Sequence, residues 1–502
     1  MKPSARAFLL LLTSFLVACG TLRGAPGQSG SGQLPFVLIT VAPNASPTPT
    51  AFLPPSAGQV TPTSLYFAYI PSIESSFPTA TPSPTEQPAA IPSPTVDLAQ
   101  LFPTAAAPPP ADASGPAPAP LPSLTDNDTD NFLLIGSDKR PGSSYRTDTL
   151  VVVILWPKQG QVSMISIPRD LWIYIPTVGM QRINTAYQSG EIYGYQDGGP
   201  GLLRDTIAYN LGIRIDHMAM VEFDGFRRVV DTLGGIDVPV SCPYTDWHLI
   251  DPSYDPYNEN NWSLYTVDTG IVHMDGDLAL WYARSRSKSN DFDRGRRQQE
   301  VLRAILARAL TTDSLTRIPE LYNAFSGAIK TDLGLGDLLK LALYAPHLPN
   351  QSIRSYYIRP PYVSDWTTPG GAAVLLPNKD ALQQMLAEAT SLSTTSVQRQ
   401  AVTVEVQNGT TNAGWDTLAA TRLNYAGYSA HTSNADRQDY GSSELIDLSA
   451  TQDASTRNSL LNGLGLYSAT VLSAPDPGSS VQYRLIIGSD YQPCFQPQNL
   501  SH

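Results

Sequence analysis

The chain has 502 residues, 32 Lys and Arg against 44 Asp and Glu, and a formal net charge of −12 at pH 7. That length leaves room for about three domains at ~150 residues each, and the acidic balance excludes a general nucleic-acid binder, which carries a basic excess. Its 44 prolines exceed the ~5% average usage, so part of the chain is expected to lack a packed core. Three cysteines exclude a disulfide scaffold, and no Cys/His cluster has zinc spacing.

The first segment reads as an address. Lys2 and Arg6 precede an apolar run, Ala7 to Val17, that has the length of a signal-peptide core and is short for a bilayer span. It ends in Leu16-Val17-Ala18-Cys19-Gly20, which resembles a bacterial lipobox. Residues 1–19 are therefore expected to be a lipoprotein signal peptide. Cys19 would be the lipidated residue that anchors the chain to the outer face of the cell membrane. The plainer alternative is a secretory signal with a chance cysteine, and on either reading the mature chain is extracytoplasmic. Cys242 and Cys494 then remain in a compartment that permits disulfides, but their spacing does not say whether they meet. No later run of 18 apolar residues signals an internal membrane span.

Residues 20–127 read as a Pro/Ser/Thr-rich linker holding about half of the prolines, and as far as about residue 125 its only charges are Arg23, Glu74, Glu86, Asp97 and Asp112. Such a composition buries too little apolar surface to offset chain entropy, so a disordered stalk is expected, with a coil span on the order of 60 Å. Phe36–Thr40 and Leu65–Ile70 are isolated apolar islands within it.

At Asn131 the pattern changes. Phe132–Ile135, Leu150–Trp156 and Val162–Ile167 read as strands, the middle one buried on both faces. Leu202–Leu211 has helical spacing and stops at Gly212; Phe226–Leu233 repeats this before Gly234-Gly235. Val301, Leu302, Ile305, Leu306 and Leu310 recur at helical intervals behind a charged start. Strands interleaved with helices imply an α/β fold, layered α-β-α, ending near residue 390 after a strand at Ala373–Leu376 and a helix from about Lys379. A smaller α/β domain is expected over 401–490. Its signals are a half-buried strand at Val402–Val406, a helix from about Gly414 to Tyr425, part of a helix at Leu460–Leu464 and a last strand at Tyr483–Ile487.

No nucleophile elbow, P-loop, zinc-protease or dinucleotide fingerprint is present, and the six histidines are scattered. Arginine beside aspartate at strand ends is the recurrent feature. Gly136-Ser137-Asp138-Lys139-Arg140 follows one strand and Tyr145-Arg146-Thr147-Asp148-Thr149 opens the next. If these strands pair, Asp138 and Asp148 meet at one sheet edge, a donor set suited to Mg²⁺ completed by phosphate and water; equally, they are turn residues serving backbone amides. Pro168-Arg169-Asp170 follows a third strand, with Arg182-Ile183-Asn184 beyond it. The densest cluster is Arg284-Ser285-Arg286 with Asp291-Phe292-Asp293-Arg294-Gly295-Arg296-Arg297-Gln298. Ser289, Asn290 and Asp291 offer helix caps. Arg294 and Gln298 share a face at the helix N-terminus, where the dipole favours anions. Arginine's planar fork matches phosphate oxygens; the competing reading is a solvated basic face.

Taken in order, Asn131–Asp148, Ile167–Asp170, Arg182–Asn184, Val221–Phe226 with Leu233–Ile236, and Tyr282–Arg284 with Asp291–Gln299 resemble the LytR-CpsA-Psr family of cell-wall glycopolymer ligases across residues 128–390. The segment 401–490, with Val404-Glu405-Val406-Gln407-Asn408-Gly409, looks like the LytR C-terminal domain. The resemblance implies an enzyme that moves a glycopolymer from a polyprenyl-pyrophosphate carrier onto peptidoglycan, leaving a phosphodiester link. It implies Mg²⁺ held by Asp138 and Asp148, and pyrophosphate held by Arg146, Arg169, Arg284, Arg286 and Arg294, with Arg182 and Gln298 in support. It also implies a polyprenyl tail in an apolar cleft between sheet and helices. Asp148, Asp170, solvent or the leaving phosphate would take the acceptor's proton, and Arg169 would act at the reacting phosphate. A lipobox departs from the family's usual transmembrane anchor. Two rival functions stay open at this level: a polyprenyl-pyrophosphate hydrolase, and a non-enzymatic wall-binding or regulatory lipoprotein.

Overall fold

Alternating apolar side chains in consecutive segments build the centre of the molecule, a computed structural model that describes residues 117–137, 147–286, 291–311, 318–325, 327–344 and 348–494. The expected signal peptide, most of the linker with its two apolar islands, Asp138 and Arg146 lie outside the described residues. Strands β1 (Asp130–Ser137), β2 (Thr147–Trp156) and β3 (Gln161–Ile167) pair antiparallel in succession. A hairpin of β4 (Trp172–Ile175) and β5 (Gly179–Arg182) leads into helices α1 (Ala186–Tyr193) and α2 (Gly198–Leu211). Strand β6 (His217–Glu222) adds parallel to β1 and runs into α3 (Phe223–Thr232).

Next come β7 (Ile236–Val240), a hairpin of β8 (Tyr244–Leu249) and β9 (Trp262–Val267), and β10 (Gly270–Met274), which pairs back on β7. Helices α4 (Gly276–Arg284), α5 (Asp291–Ala309) and α6 (Ile318–Phe325) follow, then β11 (Ile329–Thr331) and α7 (Leu335–Tyr344). Strand β12 (Ile353–Tyr357), the hairpin β13 (Val363–Thr367) and β14 (Ala373–Pro377), and helix α8 (Lys379–Ala389) complete this region.

The central sheet has the order β11-β6-β1-β2-β3-β12. Its faces follow from the two-residue period of a strand. Leu150, Val152 and Ile154 of β2 enter one core with Leu203, Ile207 and Leu211 of α2 and Leu382 and Leu386 of α8. Val151 and Leu155 enter the opposite core with Val162, Met164 and Ile353, beneath Leu302 and Leu306 of α5 and Leu341 of α7. Each fully buried Leu, Ile or Val contributes about 1.5–3 kcal/mol by leaving water. The layering is α-β-α, as the strand and helix pattern implied, with β2 buried on both sides.

The linker expected to run to residue 127 ends sooner. The Leu121 and Leu124 amides donate to the carbonyls of Tyr209 and Gly212, at 2.9 and 2.7 Å, and Leu124 packs on the first core. Gly212, at φ 66°, stops α2 where a Cβ would sit 2.5 Å from the Pro122 carbonyl oxygen. One apolar side chain, Leu124, and the orphan carbonyls of a helix end thus tie down a segment whose proline content suggests coil.

Helix α9 (Thr394–Gln400) connects to a second sheet, which contains β15 (Thr403–Asn408), β16 (Ser429–Asn434), β17 (Glu444–Asp447), β18 (Thr470–Ser473) and β19 (Tyr483–Ile487) in the order β16-β15-β19-β17-β18. Helices α10 (Trp415–Tyr425) and α11 (Ala454–Leu464) close its core on Val404, Val406, Leu423, Leu460 and Leu485. A disulfide joins Cys242, just after β7, to Cys494 at the far end of this second unit, a pairing the spacing left open. The Arg303 guanidinium of α5 stacks on Tyr425 of α10, 4.3 Å from the ring centroid.

Candidate active site

Antiparallel pairing sets the site. Leu150 lies opposite Ile167, so the start of β2 and the end of β3 share one edge of the sheet. Arg169, two residues past β3, therefore meets Asp148, two residues before Leu150: its Nη1 donates to Asp148 Oδ1 at 2.8 Å. Its Nε donates to Asp170 Oδ2 at 3.3 Å and lies 3.8 Å from Asp291 Oδ2. The end of β1 arrives at the same edge, with Gly136 opposite Thr149 and Ser137 opposite Thr147. A Cβ on Gly136 would come within 3.0 Å of the Thr149 Cβ, so the close approach of the two strands calls for glycine there.

Helix α5 supplies the opposite wall. Asp291 in its first turn is an ion-pair hub: Oδ1 lies 3.1 Å from Arg294 Nη1 and 3.6 Å from Arg286 Nε. One turn on, Gln298 donates to Thr149 Oγ1 at 2.9 Å and to the Ala283 carbonyl at 3.3 Å. Asp148, Thr149, Arg169, Asp291, Arg294 and Gln298 line a cleft of about 390 Å³, floored by Leu150, Ile167 and Tyr357.

The charges in this cleft are incompletely matched. Burial pushes the Arg294 guanidinium down to about 10; the neighbouring Arg286 and Arg169 add to the shift, and Asp291 only partly opposes it. Arg286 is lowered by burial and by the charge of Arg169. Arg169 moves upward: burial would lower it, but the hydrogen bond and charge of Asp148, helped by Asp170 and Asp291, outweigh burial. Three guanidinium groups thus feel one another across a small space, and an anion entering it would relieve their repulsion.

Arg182 joins from β5, its Nε 3.5 Å from Asp170 Oδ1 and its Nη2 donating to the Ala373 carbonyl. Arg284 is outside the cleft wall and lies over the Phe223 ring, 3.4 Å from its centroid. Arg296 and Arg297, neighbours of Arg294 in sequence, turn into the protein. Arg297 donates to the Tyr282 and Ser285 carbonyls and to Asp293, fixing the end of α4. Arg296 pairs with Asp293 and Glu300. Sequence reasoning offered Asp291 only as a helix cap. Its central position had one available signal, an acid three residues before Arg294, the spacing that puts two side chains on one helix face.

Residues 110–391 match the LytR_cpsA_psr family, and residues 401–491 match LytR_C, described as LytR cell envelope-related transcriptional attenuator. The chain belongs to the LytR-CpsA-Psr family. Over 218 residues it is 30% identical to the polyisoprenyl-teichoic acid–peptidoglycan teichoic acid transferase TagU of Oceanobacillus iheyensis, covering 43% of this chain and 62% of that one. Over 234 residues it is 33% identical to the probable cell wall biosynthesis protein LcpB of Corynebacterium glutamicum, covering 42% and 51%. The chain thus spans between half and two thirds of the length of these curated relatives. The crystal structure of Bacillus subtilis TagV is similar over 54% of this chain and all of that one, at 26% identity and a TM-score of 0.43.

Proposed function

We propose that this LytR-CpsA-Psr protein transfers a glycopolymer from a polyprenyl-pyrophosphate carrier to peptidoglycan. The observation that carries the reading is that Arg169 and Arg294 line one cleft with Asp148 and Asp291, while Arg286 reaches the same Asp291 carboxylate. A hydroxyl of the wall glycan attacks the phosphorus that bears the polymer. A new P–O bond forms, the pyrophosphate bridge bond breaks, and polyprenyl phosphate leaves. The hydroxyl proton passes to a carboxylate flanking Arg169, either Asp148 or Asp170. The arginines bind the pyrophosphate and hold the charge that shifts onto the leaving phosphate, which is most of what phosphoryl transfer asks of a protein.

Mg²⁺ would be held by Asp148 and Asp138. Asp148 offers hard carboxylate oxygen at the cleft wall, and the chain leaves β1 opposite Thr147, next to it, with Asp138 following outside the described residues. Among the described residues no group of three or more His, Cys, Asp and Glu could hold a metal, so its other ligands would be substrate phosphate and water. When bound, the ion supplies neutralisation of pyrophosphate charge.

The polyprenyl tail would lie on the apolar sheet face beside α5 and α7. On the sheet face under α5 and α7, Phe132, Leu134, Val153, Leu302, Leu306 and Leu341 are only partly buried, and α7, rich in leucine, buries none of its residues. Among the described residues no helix is long and apolar enough to cross a membrane. We place the mature chain outside the cytoplasm, held by a lipid on Cys19, because its carrier substrate lies in the same membrane and because a disulfide suits that compartment.

Assay of lipid-linked polymer with wall fragments tests this. Arg169→Ala and Arg294→Ala are expected to lose about 100-fold or more in transfer while remaining folded, with only a small fall in melting temperature. Full activity in both would remove the site assignment. Release of polymer to water regardless of peptidoglycan would make the protein a hydrolase, and no turnover at all would leave a binding or regulatory role.

A further inference from the structure

A second cleft, of about 340 Å³, lies where the catalytic domain, helix α9 and the second domain meet. Its lining includes Arg354 of β12, Ser393, Ser396 and Arg399 around α9, and Tyr425 and Gly427 at the end of α10; no Asp or Glu lines it. Gly427, at φ 95°, ends α10 beside the Arg399 side chain. Arg354 is 93% buried, at 7% relative exposure. Its terminal nitrogens donate to Tyr356 Oη and to the Glu388 and Ser391 carbonyls, while its Nε is buried without a hydrogen-bond partner. Among the described residues neither Arg354 nor Arg399 forms an ion pair, although every salt-bridged arginine of the first cleft meets a carboxylate.

A buried cation without a counter-charge is costly. One such guanidinium, Arg354, beside the half-buried Arg399, in a cavity lined by hydroxyls and by no acid, forms the complement of an oxyanion. We infer that this junction is a second anion-binding site, separate from the Arg169 cleft, for a phosphate or carboxylate carried on a sugar. The two clefts share one strand. Arg354 stands near the start of β12 and Tyr357 at its end, so they are roughly 10 Å apart at ~3.3 Å per residue. An extended glycan spans that distance. The anion is either a phosphate of the incoming polymer or a carboxylate of the acceptor wall. That choice of sources rests on the transfer reading; the anion site does not.

The test uses the full chain carrying Arg169→Ala and Arg294→Ala, so that the first cleft does not report. NMR line broadening measures binding of inorganic phosphate in one arm and of acetate in the other. At least one anion is expected to bind still, and further Arg399→Gln to weaken it at least tenfold at unchanged melting temperature. Arg399→Lys should keep most of the affinity, and Arg354→Gln provides a second reading from the buried side. Preference for phosphate points to the polymer and preference for acetate to the wall; either supports the site. Loss of all binding in the parent chain, or binding untouched by Arg399→Gln, overturns it. Either overturning result leaves transfer at Arg169 standing, and loss of transfer leaves this binding measurable.

Discussion

Helix α5 carries two arginine groups within four residues of each other, and their fates differ. Arg294 faces the cleft, where burial and two neighbouring cations depress it and one shared carboxylate answers it. Arg297, 1% exposed, faces inward and finds two carbonyls, the Asp293 carboxylate and the face of Tyr244. Residue type is the same; the partners differ. A guanidinium whose donors are all used holds the fold, and one whose charge is shared among rivals is available to a ligand. Arg303 extends the inner group, donating to the Asn350 and Ile353 carbonyls and stacking on Tyr425 of the second domain.

The comparison breaks most visibly if the two groups are truncated in turn. Arg297→Ala removes a buried cation, strands two carbonyls and leaves the Asp293 carboxylate to Arg296 alone, so it should destabilise by about 3–5 kcal/mol, read by urea unfolding. Arg294→Ala should cost far less stability while abolishing the melting-temperature rise that pyrophosphate gives the wild type. Equal destabilisation by both would erase the distinction. The next largest effect belongs to the domain junction. Cys242→Ser opens a bridge between residues 252 apart and should lower stability by about 2–4 kcal/mol. Reductant should reproduce the loss in the wild type and do nothing further to the variant. A wild type indifferent to reductant would show that the junction is held without the bridge, by packing such as the Arg303–Tyr425 stack.

Much of this was legible in sequence wherever apolar periodicity was strong. Phe132–Ile135, Leu150–Trp156 and Val162–Ile167 show as strands because their side chains face two cores, and Gly212 and Gly427 show as helix stops because only a left-handed turn fits there. Ser429–Asn434 gave no such signal. It is a mostly polar edge strand, held chiefly by its ladder to β15, with Ala430 its one side chain packed on the core. The β8–β9 hairpin was equally silent, since β9 exposes Ser263, Leu264, Tyr265 and Thr266. The cleft's arginines were visible as a charge excess, but which of them turned inward was not. That depends on where the Tyr282 and Ser285 carbonyls end in space, which no local spacing records.

Two acids on α5 sharpen the contrast through pH. Asp293 and Glu300 both touch Arg296. Burial raises both, but at Asp293 the charges and hydrogen bonds of Arg296 and Arg297 outweigh it and hold the carboxyl below its usual range, whereas at Glu300 burial prevails and the carboxyl is pushed up. A folded-state value below the unfolded one gives stability that is complete above the ordinary carboxylate range and is lost as pH falls through the folded value. The urea midpoint should therefore drop below about pH 4, and Asp293→Asn, already weaker at neutral pH, should drop less steeply. An identical slope in wild type and variant would mean that Asp293 contributes no such linkage.

The smallest effect tests the border between the two groups. Gln298 lines the cleft, yet its amide nitrogen is satisfied by Thr149 Oγ1 and by the Ala283 carbonyl. By the rule that separates Arg294 from Arg297, it should belong with the structural group despite its position. Gln298→Ala deletes two neutral hydrogen bonds, worth about 0.5–1.5 kcal/mol each at most, and slackens the tie between β2 and the end of α4. The melting temperature should fall slightly, and transfer should fall by less than in Arg294→Ala, with the loss in kcat and not in KM, because the residue positions Thr149 and its strand and does not grip the substrate. A rise in KM at unchanged stability would instead assign the amide to the ligand, and saturation of a side chain in the empty cleft would then be no guide to its role.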